Sequence, residues 1–482
     1  MKKSLTFYSA LFILFLIIQR GAGVLTKMVV AHSISPYEYG IITLVAISLP
    51  GMLQLATTLN FYYLLSHAGE GKKYFGFSLA YSLIITLVIA ILLIIFNDSF
   101  FRYLNLPVDN WKLLYFVIIV SLLPLSITTD FQGLFTGLRV YSFPGIILAL
   151  PSLSRLVILI YLFYFNLISF KIIILVFALS NVIPLVFIFL SKKYISDFGF
   201  MKTINLPSRK MFVFSSALFI VSSFSTIGQN LIKFVLSHEL GVDWQGYFDV
   251  SLTITSIMMF ALGTMSFVSI PEATNSDKNE ISRKGGLEDV TRGLFSMLLF
   301  FLIILYFYSG YITEKLFSAE YMFGSKYVII LAVSYPFVFI QMFLVNLNLA
   351  YSKNIREYIL PAILTLILIP FFFFLTKFSI GFFKEIGYGN GFIGAYISYT
   401  FLMILYTSLT IYCSKDLTPL KIIFFKIERL IISFFLTFLF IYYFNPPALV
   451  GMFISAIIFT FLILFLGYLK KSTFLEIFKS HN

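Results

Sequence analysis

The sequence predicts an all-α polytopic membrane protein of about 14 transmembrane helices, in two six-helix lobes of a parallel-topology repeat around a central cavity, plus two C-terminal helices. Three observations predict it: composition, the length of the apolar runs, and an internal repeat. Of 482 residues, 60% are hydrophobic and 11% charged, with a mean hydropathy of +0.97. A soluble domain carries about 25% charged residues. The apolar runs are about 20 residues long and do not alternate, which means helices. A backbone in lipid must satisfy its own hydrogen bonds, so these helices are the spans.

The apolar segments fall near 5–31, 39–65, 75–96, 112–136, 143–165, 170–190, 210–236, 244–270, 293–312, 328–350, 358–379, 392–413, 428–444 and 447–469. Met1-Lys2-Lys3 and the run after it have the outline of a signal peptide. That run is too long for such a segment and has no small-residue cleavage site, so it is read as a retained first span. The expected division is an N-lobe over 1–209, a C-lobe over 210–427, and two further helices with a tail over 428–482. An even count puts both termini on one side. With both ends cytoplasmic, the inner segments hold 23 Lys and Arg and the outer loops 7, and four intramembrane cations complete the 34. That asymmetry orients the chain in the cytoplasmic membrane with both termini inside. Loops 191–210 and 271–292 are the richest inner segments.

Several function classes are excluded. Every loop is short, so no soluble ATPase or glycosyltransferase domain fits. No G-x-x-x-x-G-K-[ST] sequence occurs. Gly389-Asn390-Gly391-Phe392-Ile393-Gly394 fits a dinucleotide-binding pattern formally, but it lies between membrane helices and follows no strand; it is read as a turn with close helix packing. Cys413 is the sole cysteine, and His32, His67, His238 and His481 have no ligand spacing, so no metal or other cofactor is expected. Asn97-Asp98-Ser99 matches a glycosylation sequon of a kind frequent by chance.

Four cations, Arg20, Lys27, Arg155 and Lys233, fall inside the spans, and no acid is counted at the same depth. Each costs roughly 2.5–3.5 kcal/mol at the bilayer centre. A single buried cation is often held by snorkelling or by carbonyls. Four of one sign point to a wet cavity that receives an anion.

The repeat sharpens this. At an offset of 206, His32 aligns with His238, Gly40 with Gly246 and Lys27 with Lys233. Spans 7–12 then repeat spans 1–6 in parallel topology, related by an axis along the membrane normal. At 100° per residue, Arg20, Gly23, Val24 and Lys27 share one face of span 1, with Gln19 alongside. Thr226, Gln229, Asn230 and Lys233 share one face of span 7. Gln54, Thr57, Thr58 and Asn60 add a polar face to span 2. These residues are expected to line the cavity, although hydroxyl and amide groups also serve as links between helices. Gly21 and Gly23 mark a gate or hinge in span 1, through a bend or the close approach of another helix. Asp130 and Asp249 are candidate coupling acids or partners of a cation.

The chain also resembles a known family. Ile34-Ser35-Pro36-Tyr37-Glu38-Tyr39-Gly40 is similar to the turn after the first span of polysaccharide-export flippases, and Leu240-Gly241-Val242-Asp243-Trp244-Gln245-Gly246-Tyr247 to its second-half counterpart. Lys315–Tyr321 and Gly391–Ala395 resemble two further segments, in the same order. The resemblance is to the O-antigen-type (Wzx-like) branch of the multidrug/oligosaccharidyl-lipid/polysaccharide exporter superfamily. It implies alternating access and the flipping of a polyprenyl-diphosphate-linked glycan, with membrane lipid around it. It also implies glycosyltransferases or a polymerase of the same pathway as neighbours, and no nucleic acid. Relatives in the lipid II flippase branch keep arginines on span 1, where Arg20 and Lys27 lie here. Two alternatives stand: a MATE-type multidrug antiporter, which would want deep acids, and a membrane glycan polymerase or glycosyltransferase, which the short outer loops disfavour.

Overall fold

The structure is a computed structural model that describes residues 5–58, 68–107, 111–138, 140, 142–190, 209–258, 280–351, 356–413, 421 and 424–469. Among the described residues the chain is helical and has no strand. Among the described residues, eleven helices are long and apolar enough to cross a membrane, and a twelfth candidate is the pair Ala319–Ser325 and Val328–Leu344, bent by 56°, when taken as one span. These twelve match twelve of the fourteen expected segments. The seventh is a continuous helix over Arg209–Glu239, and the eighth is described only to Met258.

The described residues form two units, 1–250 with 354–398, and 251–353 with 399–482. The first contains α1 (Leu5–Ala31), α2 (Pro36–Ile42), α3 (Leu49–Thr57), α4 (Ala68–Ile95), α5 (Asn97–Tyr103), α6 (Trp111–Gly137), α7 (Ser142–Tyr164), α8 (Phe170–Ser180), α9 (Ile183–Leu190) and α10 (Arg209–Glu239). It also holds most of α11 (Val242–Thr255) and α15 (Arg356–Glu385). α1 packs along α7, and α10 along α15. These are spans 1 with 5 and 7 with 11, equivalent pairs at the offset of the repeat. Gly145 lets the Phe15 ring lie directly on α7, where a Cβ would strike it. Phe75, Phe131, Leu134, Phe135, Phe143, Ile147 and Ile188 close a buried cluster among α4, α6, α7 and α9. Leu83, Ile84, Leu87, Val88 and Ile91 of α4 face outward, an apolar stripe suited to lipid.

Span 2 starts and breaks for legible reasons. Ser35 caps α2: its Oγ accepts from the Glu38 amide at 3.3 Å, and Glu38 Oε2 accepts from the Ser35 amide at 3.3 Å. Pro36 takes the first helical position, where its missing N–H costs nothing. Farther on, Pro50 cannot donate to the Ala46 carbonyl, and the ladder shifts to a π-helical stretch over Thr43–Ser48, with the Leu49 amide reaching Leu44 O.

The second unit contains α12 (Glu280–Leu316), α13 (Met322–Ser325), α14 (Val328–Tyr351), most of α16 (Phe392–Cys413), α17 (Ile427–Phe444) and α18 (Ala448–Phe465). α12 packs on α14, α17 and α18. Phe307 meets Phe438 at 4.9 Å between ring centroids, and Phe300 meets Phe459 at 5.5 Å. In the first unit, Gly389–Gly391 is a 3-10 turn with Asn390 and Gly391 at positive φ, and Gly394 abuts the Ser379 backbone. The formal dinucleotide pattern is thus a turn between α15 and α16.

Candidate functional site

The site lies in the first unit, where the end of α1, the α2 segment, the end of α10 and the start of α11 form a seam. The seam keeps the repeat. Position 36 corresponds to 242, 39 to 245, 40 to 246 and 43 to 249. A Cβ on Gly40 would run into the Val242 carbonyl oxygen, and one on Gly246 into that of Pro36. Tyr39 donates from its hydroxyl to Asp249 Oδ2 at 3.0 Å. At the equivalent place, Gln245 donates from Nε2 to Thr43 Oγ1 at 2.9 Å. The two halves therefore touch reciprocally, backbone to glycine and side chain to side chain.

The symmetry fails beside these contacts, where Ser48 also corresponds to Ile254, and the charge gathers there. Position 43 is a threonine and position 249 an aspartate. Lys27 Nζ donates to Asp249 Oδ2 at 2.7 Å, and Lys233 Nζ to Asp249 Oδ1 at 2.5 Å. Lys233 also donates to Ser48 Oγ at 3.1 Å, at the end of the π-helical stretch. The Lys27 side chain is 21% exposed, that of Lys233 7% and that of Asp249 1%. Three donors converge on one carboxylate, two of them cationic, and such bonds are about twice as strong as neutral ones. With all three groups ionised, the cluster retains one positive charge.

This corrects the expectation that no acid lies as deep as the lysines. Lys27 stands four residues before the end of α1, Lys233 six before the end of α10, and Asp249 seven after the start of α11. At 1.5 Å per residue those depths are about 6, 9 and 10 Å. The apolar runs of spans 1 and 7 made the lysines look central when they stand near helix ends.

Arg155 is elsewhere. From α7 its Nε donates to Ser180 Oγ at 2.9 Å and its Nη2 to Asn181 Oδ1 at 3.0 Å, and its guanidinium lies 4.4 Å from the centre of the Phe177 ring. These groups surround the break between α8 and α9, where a cation favours the open carbonyl end of a helix. The structure does not join Arg155 to the two lysines. Arg20 lies half-buried on α1, seven residues before Lys27 and on its face, with Gln19 beside it. Gly21 and Gly23 lie inside the continuous α1, and a Cβ at either would meet no atom within 4 Å. Among the described residues, no other helix approaches these glycines closely.

The remaining polar residues divide. Gln54 donates to Leu125 O at 3.3 Å and to Thr129 Oγ1, and Thr57 shares a hydrogen bond with Ser126 at 2.5 Å, so both tie α3 to α6. Thr58 is buried and donates to Gln54 O at 2.9 Å. Asn60 lies outside the described residues. On α10, Asn230 is buried, Gln229 half-buried and Thr226 exposed. Asp130 is fully buried and accepts from Ser78 at 2.9 Å and Ser82 at 2.7 Å, hydroxyls rather than a cation. Among the described residues, no three His, Cys, Asp or Glu side chains gather as metal ligands. Tyr39, Thr43, Ser48 and Gln245 were not singled out by their chemistry. Reading the 206-residue offset on either side of the glycines would have found Tyr39, Gln245 and Thr43.

No family model matches the chain, and no curated protein matches it by sequence. Solved structures do. The lipid II flippase MurJ in an inward closed conformation aligns with a TM-score of 0.60 at 16% identity, covering 94% of this chain and 98% of that one. A variant of the Vibrio cholerae MATE transporter VcmN aligns with a TM-score of 0.58 at 13% identity, over 85% and 95% of the two chains. An outward-facing multidrug resistance MATE family transporter of the MOP superfamily gives 0.58 at 14%, over 87% and 96%. At these identities it is the fold that is shared, and over nearly the full length the chain has the fold of MOP-superfamily transporters.

Proposed function

We propose that this protein is a flippase that moves a polyprenyl-diphosphate-linked oligosaccharide across the cytoplasmic membrane by alternating access, for surface polysaccharide or glycan assembly. The observation that carries the proposal is the seam: the half-buried Lys27 and the buried Lys233 converge on one carboxylate and leave a positive charge on the helix that also carries the half-buried Arg20. A diphosphate brings negative charge into lipid, and fixed cations offset its desolvation. One of the solved structures in the likeness above is named as a lipid II flippase. In this proposal Lys27, Lys233 and Arg20 receive the diphosphate, and the prenyl tail stays in lipid. Residues 1–209 and 210–427 act as lobes, both termini face the cytoplasm, and Gly21 and Gly23 let α1 bend.

A second reading rests on the acids. Asp130 and Asp249 are both buried, as a cation-exporting antiporter of MATE type would use them. An export assay separates the two. Lys27→Gln and Lys233→Gln, at normal membrane abundance, should abolish glycan export under the first reading. Normal export, with organic-cation resistance that depends on Asp130 or Asp249, would establish the second.

A further inference from the structure

A single carboxylate holds the two lysines in the state seen here. Asp249 takes both through separate oxygens, and Tyr39 fixes its orientation. The equivalent place in the other half, Thr43, is neutral and bonded to Gln245. A seam otherwise built reciprocally thus carries one carboxylate between two cations. A seam that only had to neutralise its two lysines would be served by Asp at both places, with each lysine paired.

We propose that Asp249 is a resident counter-ion, a carboxylate that occupies the two-lysine anion site until the phosphate of the substrate displaces it. The inference rests on the anion-site reading above and adds the selectivity of that site. A monoanion arriving at Lys27 and Lys233 gains what Asp249 already supplies, and the displaced carboxylate must then find new donors. A group with two or more negative charges neutralises both lysines at once and outcompetes it. The site therefore rejects carboxylate ligands and accepts phosphate and diphosphate groups. Displacement also frees α11 from α1 and α10, so the ion pairs that join the three helices open only when such an anion is present.

The test uses the purified full-length protein in detergent, with inorganic pyrophosphate as the probe and calorimetric titration as the readout. Asp249→Asn removes the competitor and keeps the amide oxygen as an acceptor. It should bind pyrophosphate about tenfold or more tightly than the wild type, the scale of one charged hydrogen bond. Thr43→Asp adds a second resident carboxylate and should weaken binding by about as much. The exchange Asp249→Thr with Thr43→Asp moves the carboxylate to its equivalent place and should return the affinity towards wild type. Pyrophosphate binding unchanged or weaker in Asp249→Asn overturns the inference while leaving the anion site standing. If Asp249→Asn does not fold, unchanged binding in Thr43→Asp overturns it instead. Absence of pyrophosphate binding in both the wild type and a folded Asp249→Asn removes the anion site and this inference together.

Discussion

Gly40 and Gly246 each lie against the first carbonyl of the other's helix, Val242 and Pro36, at a separation where no side chain fits. The contact is reciprocal because the two glycines are equivalent in the repeat, and it sets how closely α2 and α11 approach. Gly40→Ala or Gly246→Ala should therefore separate the helices and cost about 1–3 kcal/mol, the range for overpacking. Gly23→Ala, with open space at its Cβ, should be neutral or slightly stabilising. Thermal unfolding of the three purified variants checks the contrast, and a Gly40→Ala protein as stable as Gly23→Ala would contradict it.

Neutralising the lysines should separate stability from transport. Lys27→Gln with Lys233→Gln removes both lysines that donate to the buried Asp249, an imbalance that costs about 3–5 kcal/mol. Adding Asp249→Asn removes the unpaired charge and should restore most of the stability. Export should remain lost in that triple variant. Unfolding midpoints paired with an export assay read the two effects. A triple variant that exports normally would show that the charges serve only the fold.

Arg155 should behave as a fork rather than as a charge. Lysine in its place cannot hold Ser180 and Asn181 together as the guanidinium does, nor stack as well on Phe177. Arg155→Lys and Arg155→Gln should both lower the unfolding midpoint, by amounts equivalent to about 1–2 kcal/mol. Full stability in Arg155→Lys, with loss only in Arg155→Gln, would instead assign the effect to charge.

Orientation is tested by labelling. In a Cys413→Ser background, single cysteines at Lys202 and Lys278 should resist an impermeant thiol reagent in intact cells and react after permeabilisation. Labelling of both in intact cells would invert the proposed topology.

The helical class and the span pattern were legible because lipid imposes a long, continuous apolar run, a signal that needs no tertiary information. Span 7 was found from its length and polar stripe, and it is a single 31-residue helix. Within the site, the two lysines were legible from charge in an apolar run, and their equivalence from the offset. Asp249 was seen but counted too shallow, because the ends of apolar runs overshoot the depth of the lysines. The partners of Arg155 lie on the next helix, 25 and 26 residues on. Such pairings depend on helix rotation, which composition does not carry. Gln54 and Thr58, expected to line the cavity, bond between and within helices, a common role of amides and hydroxyls in membranes that the sequence does not separate from cavity lining.

The π-helical stretch at Thr43–Ser48 sets the phase of span 2. An extra residue in the ladder turns everything after it by about 100° relative to a regular helix. That turn allows one span to address two neighbours, Tyr39 and Thr43 toward α11, then Gln54 and Thr57 toward α6. Deleting Ala46 would leave the composition almost unchanged and would swing the second set off α6 while the first stayed in place. Apart from Thr43 and Ser48, whose hydroxyls meet Gln245 and Lys233, the identity of the residues in that stretch is therefore less constrained than their number.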